Sequence, residues 1–279
     1  MTQSAAQRSE PNAGLQATRA SGWWLRPLVS LILYILIFYY WVDLRTTIAL
    51  LRSSDLRFVL LGVLLYCVGQ LASAYRWLLL LKPVQLTSTY ARLAAFYFIG
   101  MFFSIFLPTI VGGDAVKAIL LARETGAPAR STISVFMDRN VGLFALLAIA
   151  IVAAWSAPTI DRFRVSLFVL TCAAGVAYLV ANVMLMNARA YGLADRLIAL
   201  TPLAGIRHRA SSLYEAVVPY RRHLGTLAGA LALSFLHQAV VIGVVFLNAR
   251  ALGQSFPISA LAVFVPLVAL AGMVPFSMN

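Results

Sequence analysis

The stretch Phe96–Lys117, FYFIGMFFSIFLPTIVGGDAVK, decides how this chain folds. It is apolar from Phe96, stops at Pro108, passes through Gly112-Gly113 and then presents Asp114 and Lys117. Proline cannot continue a helix and pushes the preceding residue towards extended backbone, so the helix is predicted to break there. A short second helix is expected over Asp114–Arg123. Farther on, Asp138 and Arg139 stand inside another apolar segment. A charge at the centre of a membrane helix costs about 3 kcal/mol, so such charges usually mark a pathway or a binding site.

Composition sets the surroundings of this stretch. Of 279 residues, 62% are hydrophobic and only 11% are charged, with a mean hydropathy of +0.88. A soluble domain of this size needs far more polar surface, so the chain reads as an all-α, polytopic membrane helical bundle. Lys and Arg total 22 against 9 acids, a formal charge of +13. Most of these basic residues flank apolar runs, where they report topology, and anionic lipid headgroups are their natural counterions. No basic domain stands outside the apolar segments, which argues against a nucleic-acid partner. Cys67 and Cys172 fall within apolar runs and read as small buried side chains. His208, His223 and His237 lack metal-ligand spacing and read as polar loop and helix residues. No nucleophile-elbow, phosphate-loop or dinucleotide motif is present, so no cofactor, metal or catalytic residue is expected.

Residues 1–25 carry no apolar period and are expected to form a disordered cytoplasmic tail. Residues 26–279 form the membrane domain. Pro27–Val42 is expected to be a first span, because no small-residue cleavage site follows it. Further spans by length are Leu56–Leu81, Ser131–Ala154, Val165–Met186 and Leu224–Leu247. Two shorter pieces remain, Leu93–Leu107 and Ile258–Pro275. If 93–107 crossed fully from a cytoplasmic amino terminus, the loop 187–223 with its six arginines would lie outside. That violates the positive-inside tendency. A re-entrant hairpin over 93–121, turning at Pro108–Gly113, keeps that loop cytoplasmic together with Lys82, Arg92, Arg123 and Arg130. The same loop could hold an interfacial amphipathic helix around Leu193–Leu203 or His208–Val218.

A weak internal repeat agrees with the hairpin. One constant offset places Gln70 on His237, Ser88 on Ser255 and Pro108 on Pro275. Each copy reads as a long helix, a short polar loop and an apolar piece broken at proline. With the two long helices crossing in opposite directions, this would be an inverted repeat with broken helices, a transporter device.

The charged residues then arrange themselves. Gly112 and Gly113 permit positive φ and close backbone approach. The N–H groups opening the next helix suit a phosphate, and Asp114 is placed to cap that helix. Lys117 lies one turn on and shares a face with Asp114. Asp138 and Arg139 point about 100° apart on their helix, so each needs another partner. Asp138 is expected to pair with Arg76 and Arg139 with Asp114. Ser131, Ser134 and Asp138 share one face. For Arg76 the alternative is snorkelling to the interface beside Trp77. For Tyr97 and Ser104 it is ordinary polar packing between helices.

In order along the chain stand Arg76-Trp77, Tyr97-Phe-Ile-Gly100, Phe103-Ser104, Leu107-Pro108, Gly112-Gly113-Asp114, Lys117, Ser134, Asp138-Arg139 and Gly142. This set resembles the lysylphosphatidylglycerol synthase transmembrane-region family of flippase-like integral membrane proteins. Its specific part covers about residues 70–145. In that family a proline segment like Gly272–Asn279 leads into a glycine-rich turn and further helices, so the resemblance implies a C-terminally incomplete copy. Some members are fused to a soluble domain that transfers lysine to phosphatidylglycerol, and no such domain occurs in this chain. Others resemble components of polyprenyl-linked sugar or hopanoid pathways.

The expectation is therefore a multi-pass inner-membrane protein that binds or translocates an anionic lipid: a phospholipid, an aminoacyl-phospholipid or a polyprenyl-phosphate lipid. Arg76, Pro108, Gly112, Gly113, Asp114, Lys117, Asp138 and Arg139 would receive the headgroup. The alternatives are a membrane glycosyltransferase and an accessory subunit that recruits a cytosolic lipid-modifying enzyme through the arginine-rich loop.

Overall fold

The structure is a computed structural model and describes residues 43–106, 112–156, 164–187 and 217–273, together with 36, 192, 214 and 215. The described residues include eight α-helices and a 3-10 turn at Val218–Arg222, and no strand occurs among them. The α-helices are numbered in chain order. These are α1 (Leu44–Ser53), α2 (Leu56–Leu81), α3 (Tyr90–Phe106), α4 (Gly112–Thr125), α5 (Pro128–Ser156), α6 (Arg164–Met186), α7 (Leu224–Ala251) and α8 (Ile258–Met273).

Four of these helices are long and apolar enough to cross a bilayer: α2, α5, α6 and α7. Each coincides with an expected span. The boundaries moved where local chemistry favoured it. α5 begins at Pro128 instead of Ser131, because proline is well tolerated at a helix start, where its missing N–H has no partner to lose. α4 begins at Gly112 instead of Asp114. α1 has no counterpart in the expected spans; it is short and starts at Asp43, whose side chain accepts from the Arg45 N–H. Asp55 opens α2 in the same way, accepting from the Arg57 N–H at 2.9 Å. The expected tail 1–25, the span Pro27–Val42 (of which residue 36 alone is described, as helix), Pro108 and its turn, and most of the loop 187–223 lie outside the described residues. Pro275 does too; Pro266 sits inside α8 without ending it.

α3 and α4 form the expected hairpin. Arg92, near the start of α3, meets Glu124, near the end of α4, at 2.9 Å. Ser88 also donates to Glu124 at 3.1 Å. The two outer ends of the pair are thus held together, and Arg92 and Arg123 lie at the same end of the bundle.

α2 and α7 pack along their whole length, and antiparallel. Gly62 lies beside Asn248, Gly69 beside Val240 and Gly229 beside Leu79. Asp55 at one end donates its N–H to Ala251 at 2.9 Å. Both helices also finish alike. The Leu86 N–H returns to the Leu81 carbonyl at 3.2 Å, and the Gln254 N–H to the Ala249 carbonyl at 2.9 Å. Each closure requires a left-handed residue, Gln85 (φ 53°) in one copy and Gly253 (φ 70°) in the other. This correspondence is one residue off the offset that aligns Gln70 with His237. The two helices thus run in opposite directions and end in the same closure.

A buried core gathers Ala74, Trp77, Leu80, Leu93, Leu121 and Met137 from α2, α3, α4 and α5. The described end of the arginine-rich loop seals it: Tyr220 is fully buried, and its hydroxyl donates to the Leu80 carbonyl at 2.9 Å. Burial raises the Tyr220 phenol above its ordinary pKa, which keeps that donor proton in place.

Candidate functional site

Three helices bring charges to one place, and a fourth brings a tyrosine hydroxyl. Arg76 comes from α2, Tyr97 from α3, Asp114 and Lys117 from α4, and Asp138 and Arg139 from α5. Asp138 lies ten residues into α5, about 15 Å from its start at 1.5 Å per residue. Arg76 lies five residues, about 8 Å, before the end of α2.

The two pairings expected from helix geometry are both present. The Arg76 Nε donates to Asp138 Oδ1 at 2.7 Å, and Arg139 Nη1 donates to Asp114 Oδ2. Lys117 joins the pairs. Its Nζ is 2.7 Å from Asp114 Oδ1 and 4.0 Å from Asp138 Oδ2. The ammonium also lies 4.1 Å from the Tyr97 ring centroid, where the ring's negative face is attractive to a cation. Arg76 is only 6% exposed. Its remaining nitrogens donate to Ser234 at 2.9 Å and to the Tyr97 hydroxyl at 3.3 Å. The guanidinium is thus held in the bundle and does not snorkel.

Gly113 makes the site possible by being small. A Cβ there would lie 3.0 Å from the Gly100 carbonyl carbon and closer still to Ser104 Oγ and the Gly100 oxygen. Gly100 is equally confined: its Cβ would meet Lys117 Cγ at 2.8 Å. α3 and α4 therefore touch backbone to backbone immediately before Asp114. The role expected for Gly112 and Gly113 is corrected in part. Both are buried and helical, and neither is among the positive-φ residues. Close approach is what Gly113 supplies. The capping role expected for Asp114 is also corrected. It sits inside the first turn of α4, and its carboxylate is taken by Lys117 and Arg139. Pro108 lies outside the described residues.

Ser131, Ser134 and Asp138 are all buried on one face of α5, as expected. The Trp77 Nε1 donates to Ser134 at 3.1 Å, so this tryptophan is a fully buried core residue and not part of an interfacial belt.

Three residues have a larger part than their sequence suggested. Tyr97 accepts from Arg76 and donates to Asp138, which makes it a bridge within the network. Ser234 completes the shell of Arg76. His237 faces Ser73 at 3.0 Å through Nδ1. Ser234, His237 and Gln238 form a polar stripe at i, i+3 and i+4 on an otherwise apolar helix, a signal that could have found the last two contributors.

A cavity of about 210 Å³ opens on this cluster, lined among others by Arg76, Lys117, Arg139, His237 and Gln238. Three cations and two carboxylates line it, a formal excess of one positive charge with His237 neutral. Both carboxylates are already engaged by cations. No three His, Cys, Asp or Glu side chains converge among the described residues.

The chain is 29% identical over 177 residues to the UPF0104 membrane protein PH1989 of Pyrococcus horikoshii, an alignment covering 62% of this chain and 51% of that protein. It therefore spans about half the length of this curated relative. No solved structure matches. The family model for the lysylphosphatidylglycerol synthase TM region matches residues 23–278, nearly the whole chain, including every residue of the charged cluster. The chain is an integral, multi-pass membrane protein and belongs to the lysylphosphatidylglycerol synthase transmembrane-region family.

Proposed function

We propose that this protein binds the headgroup of an anionic lipid in the charged cavity and carries it across the bacterial inner membrane. Arg76, Lys117 and Arg139 supply the attraction, Asp114 and Asp138 hold those cations in place, and Gly113 lets α3 and α4 come close enough to align them. The observation that carries this reading is a cavity inside a membrane bundle lined by Arg76, Lys117 and Arg139 together with Asp114 and Asp138. A phosphate crossing bare hydrocarbon is opposed by several kcal/mol or more. A cavity offering fixed hydrogen-bond donors lowers that barrier. Motion is passive or driven by gradients, and the arginine-rich loop faces the cytoplasm.

The test is translocation of a fluorescent phosphatidylglycerol in reconstituted vesicles. Arg139→Gln, at the accessible edge of the cluster, should reduce translocation at least about tenfold while the folded yield stays near the parental value. Asp138→Asn should reduce it as well. Parental rates in both variants would show that the cluster is structural. A covalently new lipid product formed only with the parental protein would replace transport with a transferase activity.

A further inference from the structure

α1 stands at the opposite end of the bundle from the arginine-rich loop. Only Ser54 and Asp55 separate it from the start of α2, whereas Tyr220 of that loop bonds to Leu80 near the other end of α2. At ten residues α1 is about 15 Å long, half of a hydrocarbon core of about 30 Å, so it cannot cross. Nor does it continue α2: Ser54 and Asp55 are both extended, with ψ 139° and 104°, and break the helix between them. None of its residues is buried. Yet Leu44, Ile48 and Leu51 recur at i, i+4 and i+7, which puts them on one face. They are 59%, 48% and 63% exposed. Arg45 and Arg52 flank this stripe about 90° round the helix, and Thr46 and Ser53 stand opposite it. Arg57 and Arg250 are exposed at the same end. The acids there, Asp43 and Asp55, serve as helix caps.

We propose that α1 lies flat in the membrane interface, with Leu44, Ile48 and Leu51 dipped into the acyl chains and Arg45 and Arg52 on anionic headgroups. Its partner is the lipid surface of the leaflet opposite the arginine-rich loop, and what the charged cavity binds does not enter the argument. Depth selects lipid over a protein partner. Leu56, Leu60 and Leu64 of α2 are exposed from the first turn of that span, so α1, two residues away, sits where hydrocarbon begins. An apolar stripe with arginines on its flank and hydroxyls on its far side is the pattern of a half-immersed helix, and the arginine stems reach up from it to the phosphates. With the arginine-rich loop in the cytoplasm, this is the end where basic residues are ordinarily scarce. Four exposed arginines there call for a counterion, and anionic headgroups are the one a membrane surface offers. Seated in this way, α1 pins the start of α2 at interface depth. Through the bond from the Asp55 N–H to the Ala251 carbonyl at 2.9 Å, it pins the end of α7 as well.

The test maps α1 in vesicles of phosphatidylcholine mixed with phosphatidylglycerol, using the full chain. Ile48→Cys on the apolar face and Ser53→Cys on the far one are prepared separately, each with Cys67 and Cys172 replaced by alanine, and labelled with a nitrobenzoxadiazole fluorophore. Two quenchers are compared, phospholipid spin-labelled high on its acyl chain and aqueous iodide. Spin-labelled lipid should quench the label at position 48 at least about threefold more than the label at position 53, and iodide should reverse the order. Leu51→Cys repeats the measurement on the apolar face if Ile48→Cys folds poorly. Spin-labelled phosphatidylglycerol should quench position 48 at least about twofold more than spin-labelled phosphatidylcholine, and Arg45→Gln combined with Arg52→Gln should abolish that preference. Equal access of iodide to both positions overturns the assignment, because the helix then stands clear of the membrane. Shielding of position 48 from both quenchers also overturns it and gives the face to a protein partner. Equal quenching by the two spin-labelled lipids overturns the role of the arginines.

Discussion

Replacing Gly113 by alanine tests the geometry on which the charged cluster depends. The new Cβ would meet the Gly100 carbonyl carbon at 3.0 Å and would be closer still to the Gly100 oxygen and Ser104 Oγ, whereas ordinary contact begins near 3.4 Å. Ser104 could turn away; the Gly100 backbone could not. α3 and α4 must therefore part by on the order of 1 Å, and a gap of that size forfeits a quarter to a half of each dispersion contact along the seam. Overpacking of this kind typically costs about 1–3 kcal/mol. Asp114 follows Gly113 directly, so its 2.7 Å contact with Lys117 moves with the backbone. Gly113→Ala should lower stability by about 1–3 kcal/mol in denaturant titration of the detergent-solubilised protein and should impair phosphatidylglycerol translocation. Gly225→Ala is the control: nothing lies within 4 Å of its Cβ position, so its effect should stay within about 0.5 kcal/mol. Adding Ser104→Gly to Gly113→Ala should recover only part of the loss, since the backbone contact remains. Parental stability in Gly113→Ala would refute the backbone contact between α3 and α4 and, with it, the alignment of the cluster.

Two further outcomes are expected. Asp138→Asn should destabilise far more than Arg139→Gln, by about 3–5 kcal/mol against at most about 1, because it leaves a buried Arg76 unmatched whereas the Arg139 side chain is 36% exposed; the same denaturant titration compares them. Cysteines at positions 92 and 123 should label from the same side of sealed vesicles, and a short bis-maleimide should join cysteines at 92 and 124; labelling from opposite sides would rule out the hairpin.

Much of this was legible because membranes constrain sequence strongly. A span must be long and apolar, so α2 and α6 could be read from run length almost to the residue, and α7 fell four residues short at its end. Neighbouring charges on a helix point apart, so Asp138 and Arg139 had to seek different partners; helix geometry alone did not choose between Arg76 and Lys117 for Asp138. What stayed hidden was carried by residues whose type fits two roles. A tyrosine on an apolar helix packs or bridges, and only the position of Asp138 opposite Tyr97 decides between them. A tryptophan next to an arginine suggests an interface; burial of Trp77 against Ser134 says otherwise. Gln85 at φ 53° could not be foreseen, because glutamine carries no signal for left-handed backbone and adopts it here at a cost of about 1–2 kcal/mol. Asp114 looked like a cap because it follows two glycines. The helix instead begins at the glycines, since tight packing on Gly100 supports their helical conformation better than local propensity would.

The charge count bears on why such a cluster exists at all. Two carboxylates need two cations, and a buried pair of that kind often adds little net stability. Lys117 and Arg139 share Asp114, and Lys117 also lies 4.0 Å from Asp138. On the function proposed above, an anion that binds only the folded state would stabilise it by RT ln(1 + [L]/Kd), about 2.7 kcal/mol at a hundredfold excess over Kd. A membrane rich in anionic lipid keeps that ligand at high local concentration.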